Sequence, residues 1–194
     1  MKTRTKALLI SLCAVLLVVT TVAATVAFLT SNDTVTNTFT VGKVAITLDE
    51  AQVNPDGSAV AGADRVKANE YHLIPAHTYI KDPTIHVDGA SEDCWLFVKV
   101  VNGIAAIEDT QNTVASQMAA NGWTPVAGQT DVYAYNRKVS AGSDIPVFAS
   151  FKIAGDADIA PYAQASVTVT AYAVQADGFD TAAAAIASAP FPAN

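Results

Sequence analysis

Three histidines, His72, His77 and His86, are the residues of this sequence with the clearest capacity for chemistry. Imidazole nitrogens bind zinc and carry protons near neutral pH. His72 and His77 lie on either side of Pro75, so no single helix face aligns them, and the sequence has no H-E-x-x-H motif. A zinc site built from all three would need two strands to be adjacent, which nothing in the sequence indicates. We therefore predict no metal ligands, no catalytic residues and no cofactor.

The other candidate groups have two interpretations each. Cys94 opens an apolar run, which predicts a buried, inert thiol, and an intermolecular disulfide is the alternative. Tyr133 and Tyr135 share one face of a predicted strand, where they either pack or stack on a sugar. The acidic loop 49–67 lacks the spacing of a calcium loop, so we expect a solvated loop with a turn at 54–57.

The N-terminal segment has the three parts of a secretion signal. It begins with three basic residues, Lys2, Arg4 and Lys6. An apolar run over 7–19 and a stretch of small residues follow, which predicts cleavage between Ala27 and Phe28 or after Ala24. The alternative is an uncleaved anchor, because the apolar stretch 7–29 approaches the roughly 20 residues that span a bilayer.

Cleavage sets the size and charge of the mature protein. Removing residues 1–27 from the 194-residue chain leaves 167 residues, 28–194, which is the size of a single domain. The signal segment contains three of the 11 basic residues and none of the 18 acidic ones, so the mature charge is −10. An acidic surface argues against nucleic acid as a partner and against anionic membranes. Membrane contact is then expected only through the uncleaved signal segment.

The remaining pattern predicts an all-β antiparallel sandwich of eight or nine strands with two short helices. Residues 94–101 are apolar on both faces apart from Lys99, as in a central strand that is covered on both sides. Single strands are also predicted over 70–74, 80–87 and 145–153, and a cleanly alternating strand over 165–174. Helical spacing predicts helices at 109–122, with a cap at Asp109 or Thr110, and at 181–189.

In the segment 35–48, the apolar residues shift from odd-numbered to even-numbered positions. Val35, Phe39 and Val41 occupy odd positions, whereas the apolar residues after them, Val44, Ile46 and Leu48, occupy even positions. Side chains alternate faces along a strand, so this slip near Gly42 predicts a bulge or bend. The two halves of the segment could then pair with different neighbours.

Several motifs in this order resemble the TasA/camelysin family of secreted Gram-positive proteins, whose signal peptides are removed by a dedicated SipW-type signal peptidase. The resembling stretches are the junction 25–30, residues 37–42 leading into 44–48, and residues 81–85, 92–100 and 171–179.

The resemblance implies a jelly-roll-like β-sandwich, a place in the extracellular matrix or on the cell surface, and self-association into biofilm-matrix fibres. In such fibres the N-terminal segment of one subunit adds as a strand to the next, which assigns the interlocking side chains to Val35, Phe39 and Val41. A companion matrix protein is a possible further partner. Three alternatives stay open: an ordinary first strand of its own domain, a camelysin-like cell-surface metallopeptidase, and a monomeric adhesin or binding module.

Overall fold

The computed structural model describes residues 3–29 and 42–192, with side chains described for 3–19 and 42–192. The chain divides into two compact units, Met1–Thr40 and Val41–Asn194. The first unit contains helix α1 (Thr3–Leu29), and its described side chains, 3–19, are exposed. Within the described residues, no helix is both long enough and apolar enough to cross a membrane.

The described part of the second unit contains nine strands and two α-helices. The strands are β1 (Ile46–Asp49), β2 (Thr78–Ile80), β3 (Thr84–Val87), β4 (Cys94–Asn102), β5 (Trp123–Pro125), β6 (Val132–Tyr135), β7 (Asp144–Pro146), β8 (Ser150–Lys152) and β9 (Val167–Gln175). The helices are α2 (Val114–Ala120) and α3 (Ala182–Ser188), and the 3-10 turns are Ala105–Ile107 and Ala160–Tyr162.

All strand pairs are antiparallel. The strands form a four-stranded sheet in the order β5-β6-β4-β9, a three-stranded sheet in the order β1-β3-β7, and the pair β2-β8. The longest ladder joins β4 to β9 along nine residue pairs, from Cys94 opposite Gln175 to Asn102 opposite Val167. The predicted β-rich fold with two short helices after the N-terminal segment is therefore confirmed.

Strand β4 is covered on both faces, as its sequence predicted. Leu96 and Val98 point into a main core that also contains Ile85 of β3. Trp95 and Phe97 point to the opposite side and pack in a second core with residues of α3. Because alternate side chains of a strand face opposite sides, a strand that is apolar at every position can belong to two cores.

The main core joins the sheets and α2. It contains Ile145 of β7, Tyr79 of β2, Phe151 of β8 and Met118 of α2. Met118 is buried, so α2 is packed firmly against the sheets. Side chains of the three-stranded and four-stranded sheets thus share one apolar interior.

Three predicted strands are wrong. The strand over 80–87 is two strands, β2 and β3, separated by Lys81, Asp82 and Pro83 and paired with different neighbours. The strand over 145–153 is also two, β7 and β8, because the consecutive residues Val147 and Phe148 are both fully buried and so break the alternation.

The third wrong prediction is the strand over 70–74, whose backbone amides bond to groups outside any strand ladder. The His72 amide donates to the carbonyl of Pro55 at 2.7 Å, and the Ile74 amide donates to the hydroxyl of Tyr79 at 2.7 Å. A side chain and a turn therefore satisfy backbone groups that a strand would pair in a ladder. The segment therefore belongs to no sheet.

Helix α2 begins later than the sequence predicted. Its cap is Thr113, whose hydroxyl accepts a hydrogen bond from the Ser116 amide at 3.1 Å, rather than Asp109 or Thr110. Asp109 instead accepts from the Gln111 amide and pairs with Lys152. Gly122 follows the helix with φ of 91°, a left-handed conformation that glycine adopts without strain at a helix end.

The position of Cys94 predicts an unreactive thiol. The side chain is fully buried, and burial together with the nearby Asp93 raises its pKa to about 11. Such a pKa lowers the thiolate fraction at neutral pH roughly 100-fold relative to an ordinary thiol. In the detergent-solubilised full chain, we expect iodoacetamide to alkylate the exposed Cys13 but not Cys94 until guanidinium is added. Peptide mass spectrometry reads the two sites separately, and rapid native labelling of Cys94 would contradict the burial.

Candidate functional site

A cleft of about 1080 Å³ lies beside the first residues of β9. Its lining comes from the end of β1, the segment 67–73, the 3-10 turn region 159–164 and residues 165–169. Ile104 and Phe151 of the main core lie at its floor and are almost fully buried. The partly buried side chains of Leu73, Ile159 and Tyr162 supply apolar surface, so the cleft could receive apolar side chains of a peptide.

One side of this cleft continues into a long sheet edge. Among the described residues, β9 pairs with β4 alone. The Gly103 amide donates to the carbonyl of Ser166, and the Ala176 amide donates to that of Asp93, so even-numbered positions of β9 face β4. In an antiparallel ladder the intervening residues point the other way. The amides and carbonyls of Val169, Ala171 and Ala173 therefore point away from β4.

The opposite wall of the cleft is held by one buried tyrosine. The Tyr79 hydroxyl donates to the carbonyl of His72 at 2.7 Å and accepts from the amide of Ile74 at 2.7 Å. The Tyr79 ring stacks on Phe151, with centroids 4.8 Å apart. Burial raises the pKa of Tyr79, which keeps the hydroxyl protonated and able to donate. This side chain therefore fixes the extended wall without a ladder.

A buried ion pair lies in the same wall. Glu50 is only 4% exposed, and its carboxylate accepts from the Lys81 ammonium at 2.6 Å and from the Asn69 amide group at 2.9 Å. Glu50 and Lys81 come from segments 31 residues apart. A buried carboxylate needs partners of this kind because desolvation of an unpaired charge is costly.

A second charged cluster fastens the loop 50–77 to the strands. Arg65 forms ion pairs with the carboxylates of Asp49 and Asp82. Asp82 also accepts a hydrogen bond from the Ala51 amide at 2.6 Å. The Lys-Asp-Pro break between β2 and β3 therefore supplies Lys81 and Asp82 to two adjoining ion-pair networks.

The structure locates some of the residues predicted for function. Ala27 and Phe28, the predicted cleavage junction, fall within the helical backbone of α1. The predicted assembly side chains, Val35, Phe39 and Val41, lie outside the described residues.

The histidines and tyrosines considered as functional groups in the sequence have structural surroundings that can be compared with those interpretations. Within the described part of the chain, His, Cys, Asp and Glu side chains form no group of three or more arranged for a metal ion. Tyr135 lies in the main core against Trp123, with ring centroids 5.1 Å apart, and Tyr133 packs on that core. The packing interpretation of these tyrosines is therefore confirmed.

Sequence patterns did not indicate the groups that line or support the cleft: Glu50, Arg65, Tyr79 and the open side of β9. Glu50 and Arg65 sit in a loop that we interpreted as merely solvated. The one available signal was Lys81 followed by Asp82 and Pro83, two charges and a proline interrupting an apolar run.

The fold and cleft define a class: a β-rich protein with a long sheet edge beside a peptide-sized cleft. No model of a known protein family matches this chain, and no curated protein or solved structure is significantly similar to it. The resemblance to the TasA/camelysin family therefore depends on the sequence motifs.

The Glu50–Lys81 pair generates a stability prediction. We expect Lys81→Met to lower the free energy of unfolding by about 3–5 kcal/mol, because it leaves the Glu50 carboxylate buried without its cation. The double variant Glu50→Gln/Lys81→Met should recover most of this loss. Urea unfolding followed by tryptophan fluorescence measures both. Equal losses in the single and double variants would show that the charge of Glu50 is not the cause.

Proposed function

We propose that this protein is a secreted, non-enzymatic structural component of the extracellular or biofilm matrix, and that it assembles into fibres. The N-terminal segment of one subunit adds as a strand to the β9 edge of the next subunit. A SipW-type signal peptidase releases that segment by cleavage between Ala27 and Phe28. The folded domain is a jelly-roll-like sandwich, and a companion matrix protein is a candidate nucleator of the fibre.

The observation that carries this proposal is the β9 edge. It is nine residues long, and alternate residues direct their amides and carbonyls away from β4. Soluble proteins usually protect such edges with short strands, prolines or inward charges. Residues 167–175 contain neither a proline nor a charged residue. An extended peptide would satisfy these backbone groups, and the adjoining cleft would receive its side chains.

The donor segment has the pattern that this geometry requires. Val35, Phe39 and Val41 are spaced four and two positions apart, so in an extended strand they point to one face. Strand addition obtains affinity from backbone hydrogen bonds and register from alternate side chains. Leu73, Ile159 and Tyr162 offer apolar surface in the cleft, so the aromatic ring of Phe39 is the best-matched anchor.

The competing arrangement is intramolecular. In it, residues 35–41 form an ordinary strand of their own domain. Both arrangements use the same segment, but only the intermolecular one makes polymers.

The assembly test compares two chains that differ only at the N-terminus. We expect a chain of residues 28–194 to form fibres by light scattering and electron microscopy, whereas residues 40–194 stay monomeric because they lack most of the donor strand, including Val35 and Phe39. A synthetic peptide of residues 28–41 should then bind the shorter chain, and a scrambled peptide should not.

Two outcomes would contradict the assembly prediction. Fibres from the shorter chain would show that the segment is dispensable. A longer chain that stays monomeric across salt and pH, and that is more stable than the shorter chain, would favour the intramolecular strand.

A second variant tests the acceptor edge. Ala171→Pro removes a backbone donor that points away from β4 and leaves the ladder between β4 and β9 intact. We expect this variant of residues 28–194 to fold and to lose fibre growth, whereas the matched variant Ala171→Val keeps the donor and grows fibres. Circular dichroism verifies that each variant folds, and light scattering measures fibre growth. Normal growth of the proline variant would place the acceptor elsewhere.

A further inference from the structure

His86 occupies an unusual position on the three-stranded sheet. It lies in the middle strand, β3, opposite Thr47 of β1 and Asp144 of β7. Its Nδ1 is 2.6 Å from a carboxylate oxygen of Asp144, and its Nε2 is 2.9 Å from one of Asp49. One ring therefore contacts a carboxylate from each of the two neighbouring strands.

These contacts specify the protonation state of the ring. An ionised carboxylate only accepts hydrogen bonds, so each ring nitrogen must carry a proton to bond to it. Both nitrogens are protonated only in the imidazolium ion. A neutral ring would keep one bond and turn a lone pair toward the other carboxylate, which replaces an attraction with a repulsion.

We propose that His86 is a protonation-dependent clamp that holds β1 and β7 to β3 through Asp49 and Asp144. With the proton bound, the ring bridges all three strands of the sheet. Loss of the proton breaks one of the two bridges and loosens the outer face of the sheet at β1 or β7.

The charged groups around His86 favour the clamped form. Asp49 approaches from β1 and Asp144 from β7, while Arg65 from the loop 50–77 pairs with Asp49 and with Asp82 beyond it. The contact to Asp144 is the shorter one, 2.6 Å against 2.9 Å to Asp49, and Asp49 has Arg65 as a second partner, so we expect the neutral ring to keep Asp144 and to release Asp49. Because Arg65 still holds Asp49, β1 then loosens but does not detach.

The direction of the pH dependence follows from these contacts. Burial lowers the pKa of His86, but the hydrogen bonds that the ring donates to Asp144 and Asp49 outweigh it and leave the pKa above its ordinary value. A raised pKa in the folded state means that the clamp stabilises the fold fully below the ordinary histidine pKa. That stabilisation is lost as the pH rises through the folded-state value.

The clamp has one consequence that rests on the proposed function. Asp49 also lines the cleft beside β9, so release of its bond to His86 changes one wall of the proposed acceptor. The clamp itself is independent of assembly. Measurements on the monomeric chain therefore test it alone.

The experiment uses the full chain in mild detergent micelles. Histidine ¹⁵N shifts, followed from about pH 5 to pH 9, report the protonation of both ring nitrogens of His86. Amide exchange of β1 and of β4, corrected for intrinsic rates, reports how firmly each strand is held. We expect protection of β1 to fall roughly fivefold relative to β4 as His86 titrates, the ratio that loss of one hydrogen bond produces.

Two variants and one control decide the outcome. His86→Gln should abolish the pH-dependent step, and Asp144→Asn should lower its midpoint while leaving the Asp49 bridge. His72→Gln removes an exposed histidine and should behave as the parent. A His86 ring with one unprotonated nitrogen below pH 6, or an unchanged step in His86→Gln, would overturn the clamp. Failure of fibre growth with an intact step would count against the proposed function only.

Discussion

Strand β4 supports the fold because both of its faces are buried and both of its edges are paired. Its residues enter the main core on one side and the second core under α3 on the other. Its backbone pairs with β6 and along its whole length with β9. β4 forms hydrogen bonds with only one edge of β9, and this ladder holds β9 at the end of the sheet. The position of the cleft beside β9 therefore depends on β4.

The two sheets are stabilised differently. The four-stranded sheet depends on burial of apolar side chains, whereas the outer face of the three-stranded sheet carries a set of charged partners around Asp49, Arg65 and His86. The segment Lys81-Asp82-Pro83 connects these two modes of stabilisation. It separates β2 from β3, places Lys81 in the wall of the cleft beside Glu50, and pairs the carboxylate of Asp82 with Arg65. Apolar burial varies little with pH, whereas the charged set responds to it.

Local patterns in the sequence predicted β4, β9 and the two short helices. In these elements, the buried faces require apolar residues at the spacing of a strand or a helix. The turn at 54–57 was also correct, with Gly57 at φ of 78°. The split strands were missed because a single interruption, such as consecutive buried residues at Val147 and Phe148, carries no strong turn signal. The candidate site was largely invisible, since Glu50 and Lys81 meet only after the loop between them has folded back.

The location of β9 also bears on symmetry. Within the proposed assembly, the donor segment and the β9 edge are different surfaces of one chain, so the contact between subunits is heterologous and gives an open fibre when its rotation does not close a ring. A polymer built this way has a polarity, with an unfilled edge at one terminus and an unused donor segment at the other. Growth at the two termini then involves different chemical groups. A molecule that carries only the donor, or only the edge, would terminate the polymer at one terminus and leave the other active.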